Sequence, residues 1–254
     1  MRTVLALNAG SATLKFALYR VEGLQLLARG LVDHWGSDAQ QLKIRDGAGE
    51  VLLEGRIPDA RDDREASIRF LLDWALRQWP DAQLAAIGHR IVHGGADFAG
   101  PVRVTPDVEA KLEALVPLAP LHQPWGLTGL RLAASACPDV PQVASFDTAF
   151  HRSMEPVATR YALPRQMEAE GIRRYGFHGL SYAYISARLR ELDPSAARGR
   201  IIVAHLGSGA SLCAMRDGRS VDTTMGFSTL DGLVMATRPG DVDPGVLLHL
   251  MQAR

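Results

Sequence analysis

The sequence predicts an α/β protein in which a mixed sheet is covered by helices. Three observations predict this fold class: short apolar strand segments open the chain, an amphipathic helix follows them, and a similar hairpin recurs in the second half. With 254 residues, of which 47% are hydrophobic, the chain can bury a large core. We expect a first lobe over residues 1–147 and the first part of a second lobe over 148–254.

The first two strands are predicted on either side of a polar turn. Residues 4–7 and 14–18 are mostly apolar, and the segment between them carries glycine and hydroxyl side chains. Gly10 can turn backbone amides toward an anion, and Lys15 carries a point charge of the kind that phosphate sites use. The pattern fits a phosphate-binding turn, and it fits equally an ordinary hairpin with a solvated lysine.

A meander and a helix are predicted next. Residues 24–29 read as a third strand, and residues 41–53 read as a hairpin around a glycine-rich turn at 46–49. Residues 62–78 place apolar side chains at helical spacing, and Pro80 ends that helix. Strands followed by a crossover helix are typical of a mixed sheet.

The segment 85–95 combines a strand with charged side chains and a glycine pair. Arg90 either contacts a carboxylate or phosphate with both amino groups or pairs with a core carboxylate. His89 and His93 are interpreted as packed or rim imidazoles.

Helices are predicted at 106–115 and 125–136, and the hydrogen bonds of His122 and Gln123 are expected to pin the loop between them.

The next strand, 140–150, contains Asp147 at the end where open α/β sheets bind ligands. The alternative is that Asp147 is a cap or turn residue.

His178 lies between two glycines before a helix at 181–192, so it either faces an anion or caps that helix. A hairpin at 201–215 repeats the glycine-serine turn, and Arg238 either has a functional role or pairs with Asp241 and Asp243, the latter a candidate helix cap.

Composition excludes several classes of protein. The chain has 28 basic and 28 acidic residues, so nothing indicates a nucleic-acid or membrane partner. Two distant cysteines argue against a disulfide framework or a zinc site, and they fit a reducing compartment, so we expect a cytoplasmic protein.

Seven segments, in order along the chain, resemble signatures of the acetate kinase family. They are NAGSATLK, GHRIVHGG, PLAPLHQP, SFDTAFH, RYGFHGLS, HLGSGAS and TTMGFSTLDGLVMATRPGDVDPG. The resemblance implies the actin-like (ribonuclease H-like) two-lobed fold of the acetate and sugar kinase superfamily. It also implies a longer protein, with the second lobe incomplete in this chain, so this chain alone is expected to be an incomplete enzyme that performs the family reaction poorly or not at all.

The resemblance implies roles for individual residues. Asn8 is similar to the family's magnesium-associated asparagine, and Arg90 is similar to its carboxylate-binding arginine. Asp147, His178 and Arg238 match the catalytic positions, the last two as stabilisers of the transition state. The other implied positions are the wall of the acyl pocket, Val92, Leu121 and Phe177, and the nucleotide-phosphate contacts, Ser11, Thr13, Lys15, His205, Leu206, Gly207, Ser208 and Gly209.

The implied reaction is reversible transfer of the γ-phosphate of ATP to acetate, with Mg²⁺ as cofactor and a homodimer as the assembly. Because a carboxylate acceptor is already ionised at neutral pH, we expect Asp147 to hold metal-bound water or to orient its neighbours rather than to act as an obligatory general base. Ser208, Gln123 and Thr229 depart from the family pattern, and Thr229 leaves the acyl preference open. The alternatives are a propionate or butyrate kinase, and a silent remnant that binds phosphate or dimerises.

Overall fold

The structure is a computed structural model that describes residues 1–10, 12–58 and 63–253. The described chain divides into two compact units. The first contains Met1–His93 and Pro101–Ser145, and the second contains Gly94–Gly100 and everything described from Phe146 onward. The lobe boundary after residue 147 stays a prediction.

The chain opens with five consecutive strands, and a run of three consecutive strands precedes the last described helix. The strands are β1 (Arg2–Ala9), β2 (Leu14–Arg20), β3 (Leu26–Asp33), β4 (Gln41–Asp46), β5 (Val51–Gly55), β6 (Gln83–Ile91), β7 (Val102–Arg103), β8 (Gln142–Phe146), β9 (Arg200–Leu206), β10 (Ala210–Arg216) and β11 (Arg219–Thr223). The helices are α1 (Arg64–Gln78), α2 (Pro106–Ala114), α3 (Gln123–Ala136), α4 (Pro156–Thr159), α5 (Arg165–Ala169), α6 (Gly179–Leu192), α7 (Pro194–Ala197) and α8 (Pro244–Ala253).

The first unit is built on a mixed sheet with the strand order β5-β4-β3-β2-β1-β6-β8-β7. Strands β1 to β5 form an antiparallel meander, whereas β6 runs parallel to β1. In this register Asn8 lies opposite Lys15, and its neighbour Leu7 lies opposite His89. The sheet therefore brings the polar turn after β1 to the same edge as the end of β6.

Helix α1 packs its apolar stripe into the core of the first unit. Ile68, Leu71 and Leu72 are each 1% exposed, because the 3.6-residue period places them on one face. Burial of a side chain of this size stabilises the fold by about 1.5–3 kcal/mol. The helix begins after Asp63, whose carboxylate accepts the backbone N–H of Ala66 at 2.9 Å.

The second unit has a three-stranded antiparallel sheet in the order β11-β10-β9. Helix α6 contributes Tyr182 to its core, where Cys213 and Met215 of β10 are also buried. Strand β9 lies at the edge of this sheet and exposes Ile202 and Leu206, by 73% and 75%.

Helix α8 is apolar and exposed. The Asp243 carboxylate accepts the backbone N–H of Gly245 at 2.7 Å, so its predicted role at the start of this helix is confirmed. No residue of α8 is buried, and the side chains that it exposes include Val246, Leu247, Leu248, Leu250 and Met251.

Each unit contains one cysteine, and both thiols are free and buried. Burial raises the pKa of Cys137 in the first unit, and it raises the pKa of Cys213 in the second unit to about 11. Among the described helices, none combines the length and the apolar composition needed to cross a bilayer.

The expected elements are present, and their ends differ by a few residues. The third strand begins at Leu26 instead of Leu24, because a 3₁₀ turn at Glu22–Leu24 places Gly23 and Leu24 at positive φ, 73° and 48°. The strand expected over 140–150 ends at Phe146, because a 3₁₀ turn follows at Ala149–Ser153.

Candidate active site

The turn after β1 is closed by backbone and flanked by the cross-strand pair of Asn8 and Lys15. The N–H of Gly10 donates to the carbonyl of Thr13 at 2.9 Å. Thr13 is half-buried and Lys15 is exposed, so the lysine head is free to reach an anion in solvent. Ser11, the other hydroxyl predicted to bind phosphate, lies outside the described residues.

Arg90 is held at the same edge of the sheet by Asn8. Its Nη1 donates to Oδ1 of Asn8 at 3.0 Å, and the Arg90 side chain is half-buried at the end of β6. The parallel pairing of β1 with β6 creates this contact, because each residue lies one position beyond the pair Leu7 and His89. A guanidinium is the group that binds a carboxylate or phosphate through paired N–H donors.

The histidines on either side of Arg90 are packed, as the sequence predicted. His89 is 3% exposed and donates from Nε2 to Oε1 of Gln142 at 2.7 Å. His93 is fully buried, and burial lowers its pKa to about 4. Gln123 accepts from the backbone N–H of His93 and donates to its carbonyl and to that of Leu112, at 3.1, 3.0 and 3.2 Å, so its expected role in pinning the loop is confirmed.

The residues implied for the acyl pocket differ in exposure. Val92, in the first unit, is 4% exposed, whereas Leu121 in the same unit is 69% exposed. Phe177 belongs to the second unit and is 1% exposed.

In the second unit, Gly209, His178 and Arg238 lie together. A Cβ atom built on Gly209 would lie 2.8 Å from Nη2 of Arg238 and 3.2 Å from Nε2 of His178. Only a glycine leaves the turn between β9 and β10 open to both side chains. The arrangement combines a glycine-rich turn, a guanidinium and an imidazole nitrogen within one small volume, which suits an anion with several oxygens.

Arg238 is fixed by a carbonyl group instead of by an acid. Its Nη1 donates to the carbonyl of Thr229 at 2.6 Å. The alternative of an ion pair with Asp241 or Asp243 is wrong, because within the described chain neither acid lies at ion-pair distance from Arg238. Burial lowers the pKa of Arg238, so the guanidinium is partly shielded from water, which strengthens its attraction for an anion.

His178 precedes α6 in an uncommon backbone conformation. Its φ of 60° is left-handed, a strained state for a residue with a Cβ atom. His178 is the N-cap residue of α6, as the capping alternative had it, but its side chain makes no cap bond: Nδ1 of His178 bonds instead to Oγ of Ser211 at 2.8 Å. The His178 ring stacks on that of His205, with centroids 4.1 Å apart.

His151 stabilises the turn that carries His178 by a hydrogen bond to the backbone of that turn. The sequence did not identify His151 as a site residue. His151 donates from Nε2 to the carbonyl of Phe177 at 2.9 Å and accepts the hydroxyl of Ser220 at Nδ1, 2.8 Å away. Gly176, at φ 73°, allows the imidazole to approach, since a Cβ there would lie 2.7 Å from the ring. Burial lowers the pKa of His151 to about 4, which keeps the ring neutral.

Asp147 lies in the turn after β8 and is 2% exposed. Its carbonyl accepts the N–H of Gly179 at 2.8 Å, which ties this turn to the start of α6. A Cβ at Gly179 would lie 2.2 Å from that carbonyl oxygen, so glycine is required for the close approach. Asp147 therefore lies in a turn, as one of the two alternatives from the sequence had it, next to the residue that follows His178, and its catalytic role stays a prediction.

The rest of the second glycine-rich turn is open to solvent. The N–H of Gly207 donates to the carbonyl of Gly209 at 3.1 Å, and Ser208 and Leu206 are exposed. His205 is half-buried, and its Nδ1 bonds to Oγ of Ser181 at 3.0 Å.

Oxygen donors suited to a hard cation are present at two of the predicted positions. Asn8 offers an amide oxygen and Asp147 a carboxylate, both of which are ligand types that Mg²⁺ accepts. Within the described residues, no group of three or more His, Cys, Asp or Glu side chains is arranged around a metal position.

Comparisons with known proteins give a consistent result. A model of the Acetokinase family matches residues 3–254. Acetate kinases of Methylocella silvestris and Rhodopseudomonas palustris are 49% and 46% identical over 100% and 99% of this chain. The chain spans 65% and 64% of the length of these two curated relatives.

Two solved structures share this fold. A propionate kinase from Francisella tularensis is 35% identical, with a TM-score of 0.89 over 99% of this chain and 64% of that one. Acetate kinase from Porphyromonas gingivalis is 40% identical, with a TM-score of 0.82 over 100% of this chain and 64% of that one. The α/β, actin-like fold class predicted from the sequence is confirmed.

Proposed function

The chain belongs to the acetokinase family, and from this premise we propose that its site transfers the γ-phosphoryl group of ATP reversibly to acetate, giving acetyl phosphate and ADP. The observation that carries the proposal is the convergence of Arg238 and His178 on Gly209, at 2.8 and 3.2 Å from a Cβ built there. Phosphoryl transfer spreads negative charge over three oxygens of a loose transition state, so the protein mainly positions and neutralises.

In this proposal Arg238 and His178 stabilise the transferring phosphoryl group. The Thr229 carbonyl holds one amino group of Arg238 and leaves Nη2 toward Gly209. Backbone amides of the turn from His205 to Gly209 contact the nucleotide phosphates, as amides of glycine-rich turns do. Lys15 and the hydroxyls of Ser11 and Thr13 serve the same phosphates.

Arg90 binds the carboxylate of the acceptor, and Val92 and Leu121 of the same unit contact its alkyl group. The role that the resemblance implies for Phe177, in the second unit, stays a prediction. The hydrogen bond that Arg90 donates to Asn8 orients the guanidinium, a group whose paired N–H donors suit a carboxylate. Because acetate is ionised at neutral pH, its attacking oxygen needs no base.

Asn8 is the residue of the first unit that would hold Mg²⁺, and Asp147 of the second unit offers a carboxylate of the type that Mg²⁺ accepts. When bound, the ion neutralises phosphate oxygens during transfer. Asp147 then acts as a ligand, directly or through water, and not as a proton acceptor. Its turn is fixed by the bond from Gly179, so the carboxylate starts from a rigid position.

A propionate or butyrate kinase is the second candidate. Thr229 lies where the resemblance leads us to expect proline, and the carbonyl of this residue binds Arg238, so a change there affects both pocket size and arginine position. One methylene in such a pocket changes binding by about 1–3 kcal/mol. A structurally similar protein from Francisella tularensis is a propionate kinase.

We also propose a cytoplasmic location and a homodimer. Two buried, unpaired cysteines suit a reducing compartment. Sedimentation of the purified chain at several concentrations tests the dimer, which a constant monomer mass would contradict.

The test is formation of acyl hydroxamate from ATP with acetate, propionate or butyrate, together with ATP formation from acetyl phosphate and ADP. Turnover by the purified chain that is lost in Arg238→Ala and retained in Arg216→Ala, an exposed arginine on β10, would support the proposal. The ranking of the three acids decides between the candidates. A folded chain that turns over none of them would overturn the activity of these 254 residues. Calorimetry with ADP would then show whether the silent phosphate-binding alternative holds.

A further inference from the structure

A chain of hydroxyl groups leads through the second unit to His178. Tyr182 lies four residues after His178, one turn along α6, and Ser211 lies on the facing strand β10. The Tyr182 hydroxyl is 2.5 Å from Oγ of Ser211, which in turn is 2.8 Å from Nδ1 of His178. Both hydroxyl residues are fully buried.

The proton of Tyr182 has a fixed direction. Burial raises the pKa of this phenol to about 12, so it stays protonated at neutral pH. A hydrogen bond with the backbone of His205 lowers the pKa of the phenol, which is the effect of an N–H donated to the phenol oxygen, so the phenol's own proton is left to be donated. The distance between the two hydroxyl oxygens fits either direction of donation, and we therefore assign Tyr182 as the donor and Oγ of Ser211 as the acceptor.

The proton of Ser211 is directed in the same way. Its oxygen already accepts from Tyr182, and its other partner in the described chain is Nδ1 of His178. A buried hydroxyl proton without an acceptor is costly, so Ser211 donates to Nδ1. A neutral imidazole that accepts at Nδ1 carries its proton on Nε2.

The protonated nitrogen faces the candidate phosphate position. Nε2 of His178 lies on the side of Gly209 and Arg238. The ring plane is set by stacking on His205, which is itself bonded to Ser181. A donor N–H is what a phosphoryl oxygen requires, whereas the other tautomer would present a lone pair to an anion.

We propose that Ser211 and Tyr182 are positioning residues that hold His178 in its Nε2–H tautomer, so that it donates a hydrogen bond to the transferring phosphoryl group. This inference rests on the proposed function for the identity of the anion. In this inference His178 contacts the phosphoryl group, and the buried hydroxyls of Ser211 and Tyr182 only orient the His178 ring.

The tautomer is measured by long-range ¹H–¹⁵N correlation on the intact chain at about pH 8, above the ~6.5 of a free histidine. The His178 signals are those that His178→Asn removes. We expect a protonated Nε2 and an unprotonated Nδ1 in the wild type. In Ser211→Ala and in Tyr182→Phe the two nitrogen shifts should move toward each other as the tautomers mix.

Two matched controls lie on the same helix. Ser186→Ala removes a buried serine hydroxyl that donates to Gly218 at 2.9 Å, and Tyr184→Phe removes a hydroxyl from a tyrosine that is 64% exposed. Both should leave the His178 shifts unchanged. If Ser211→Ala does not fold, Tyr182→Phe decides.

The inference would be overturned by a proton on Nδ1 of His178 in the wild type, or by ¹⁵N shifts of His178 that are unchanged in both Ser211→Ala and Tyr182→Phe. No substrate is present in this experiment, so its outcome is independent of the hydroxamate assay. A chain that shows the tautomer change but transfers no phosphate would contradict the proposed function alone.

Discussion

Replacing Gly209 by alanine is expected to disable the phosphate site while leaving the fold intact. The new methyl group would lie 2.8 Å from Nη2 of Arg238 and 3.2 Å from Nε2 of His178, whereas ordinary contact begins at 3.4 Å. Both side chains must move, Arg238 the further. Its hydrogen bond to the Thr229 carbonyl, 2.6 Å long, restricts that movement.

The expected loss follows from the size of this displacement. The guanidinium has to shift by more than about half an ångström, and a misplacement of about 1 Å costs about 100-fold in rate. Loss of one hydrogen bond to a charged group costs about 1.5–3 kcal/mol, which is more than tenfold in affinity. We therefore expect turnover, and affinity for inorganic phosphate, to fall by about ten- to a hundredfold. The free energy of unfolding should change by less than about 1 kcal/mol, because the atoms displaced are the ends of side chains.

The assays are the hydroxamate rate and calorimetric titration with inorganic phosphate, and Gly100→Ala, in the same unit as Gly209, is the matched control. A Cβ at Gly100 meets no atom within 4 Å. The control should retain phosphate binding. Equal losses in the two variants, or wild-type binding in Gly209→Ala, would refute the assignment of the site.

Three other substitutions test the cap, the buried histidine and the acid. Asp63→Ala should lower the free energy of unfolding, measured in urea, by about 1 kcal/mol, because α1 loses its N-terminal cap. The control Asp73→Ala breaks only an exposed ion pair on the same helix and should change the free energy of unfolding by less. Equal effects of the two substitutions would argue against capping by Asp63. Burial lowers the pKa of His151 to about 4, below the ~6.5 of the unfolded chain. The neutral ring therefore stabilises the fold above pH ~6.5, and this contribution to the free energy of unfolding is lost as the pH falls toward 4. His151→Gln should reduce the slope of the free energy of unfolding against pH in this range, and an unchanged slope would contradict this account. Asp147→Asn should lower the rate without removing an ionisation from the pH–rate profile, whereas loss of a limb near about pH 6 would identify a general base.

Periodicity predicted the elements, and tertiary contacts determined their ends. Helix α3 begins at Gln123, two residues earlier than expected, because the Gln123 side chain is satisfied by the backbone of His93. Helix α6 likewise begins at Gly179, where the Asp147 carbonyl accepts its N–H. Neither contact is local in sequence, so no pattern within a window of residues contains it.

The sequence predicted which residue types form the candidate site, but it did not predict how their side chains are oriented. The motif HLGSGAS indicated the turn at Gly209, but the contact of Ser211 with His178 depends on how β10 faces α6. The spacing of Tyr182, four residues after His178, was a usable signal, because residues four apart share a helix face. For Arg238 the sequence suggested two acids, and the structure shows the carbonyl of Thr229 instead.

The distribution of thiols gives each unit its own reporter. Cys137 is buried in the first unit and Cys213 in the second, and the chain has no other cysteine. An alkylating reagent reaches either sulfur only when the surrounding structure opens, so the mass of each cysteine-containing peptide over time records how often that unit opens. Hence the unaltered chain can reveal, without an added probe, whether its two halves unfold together or separately.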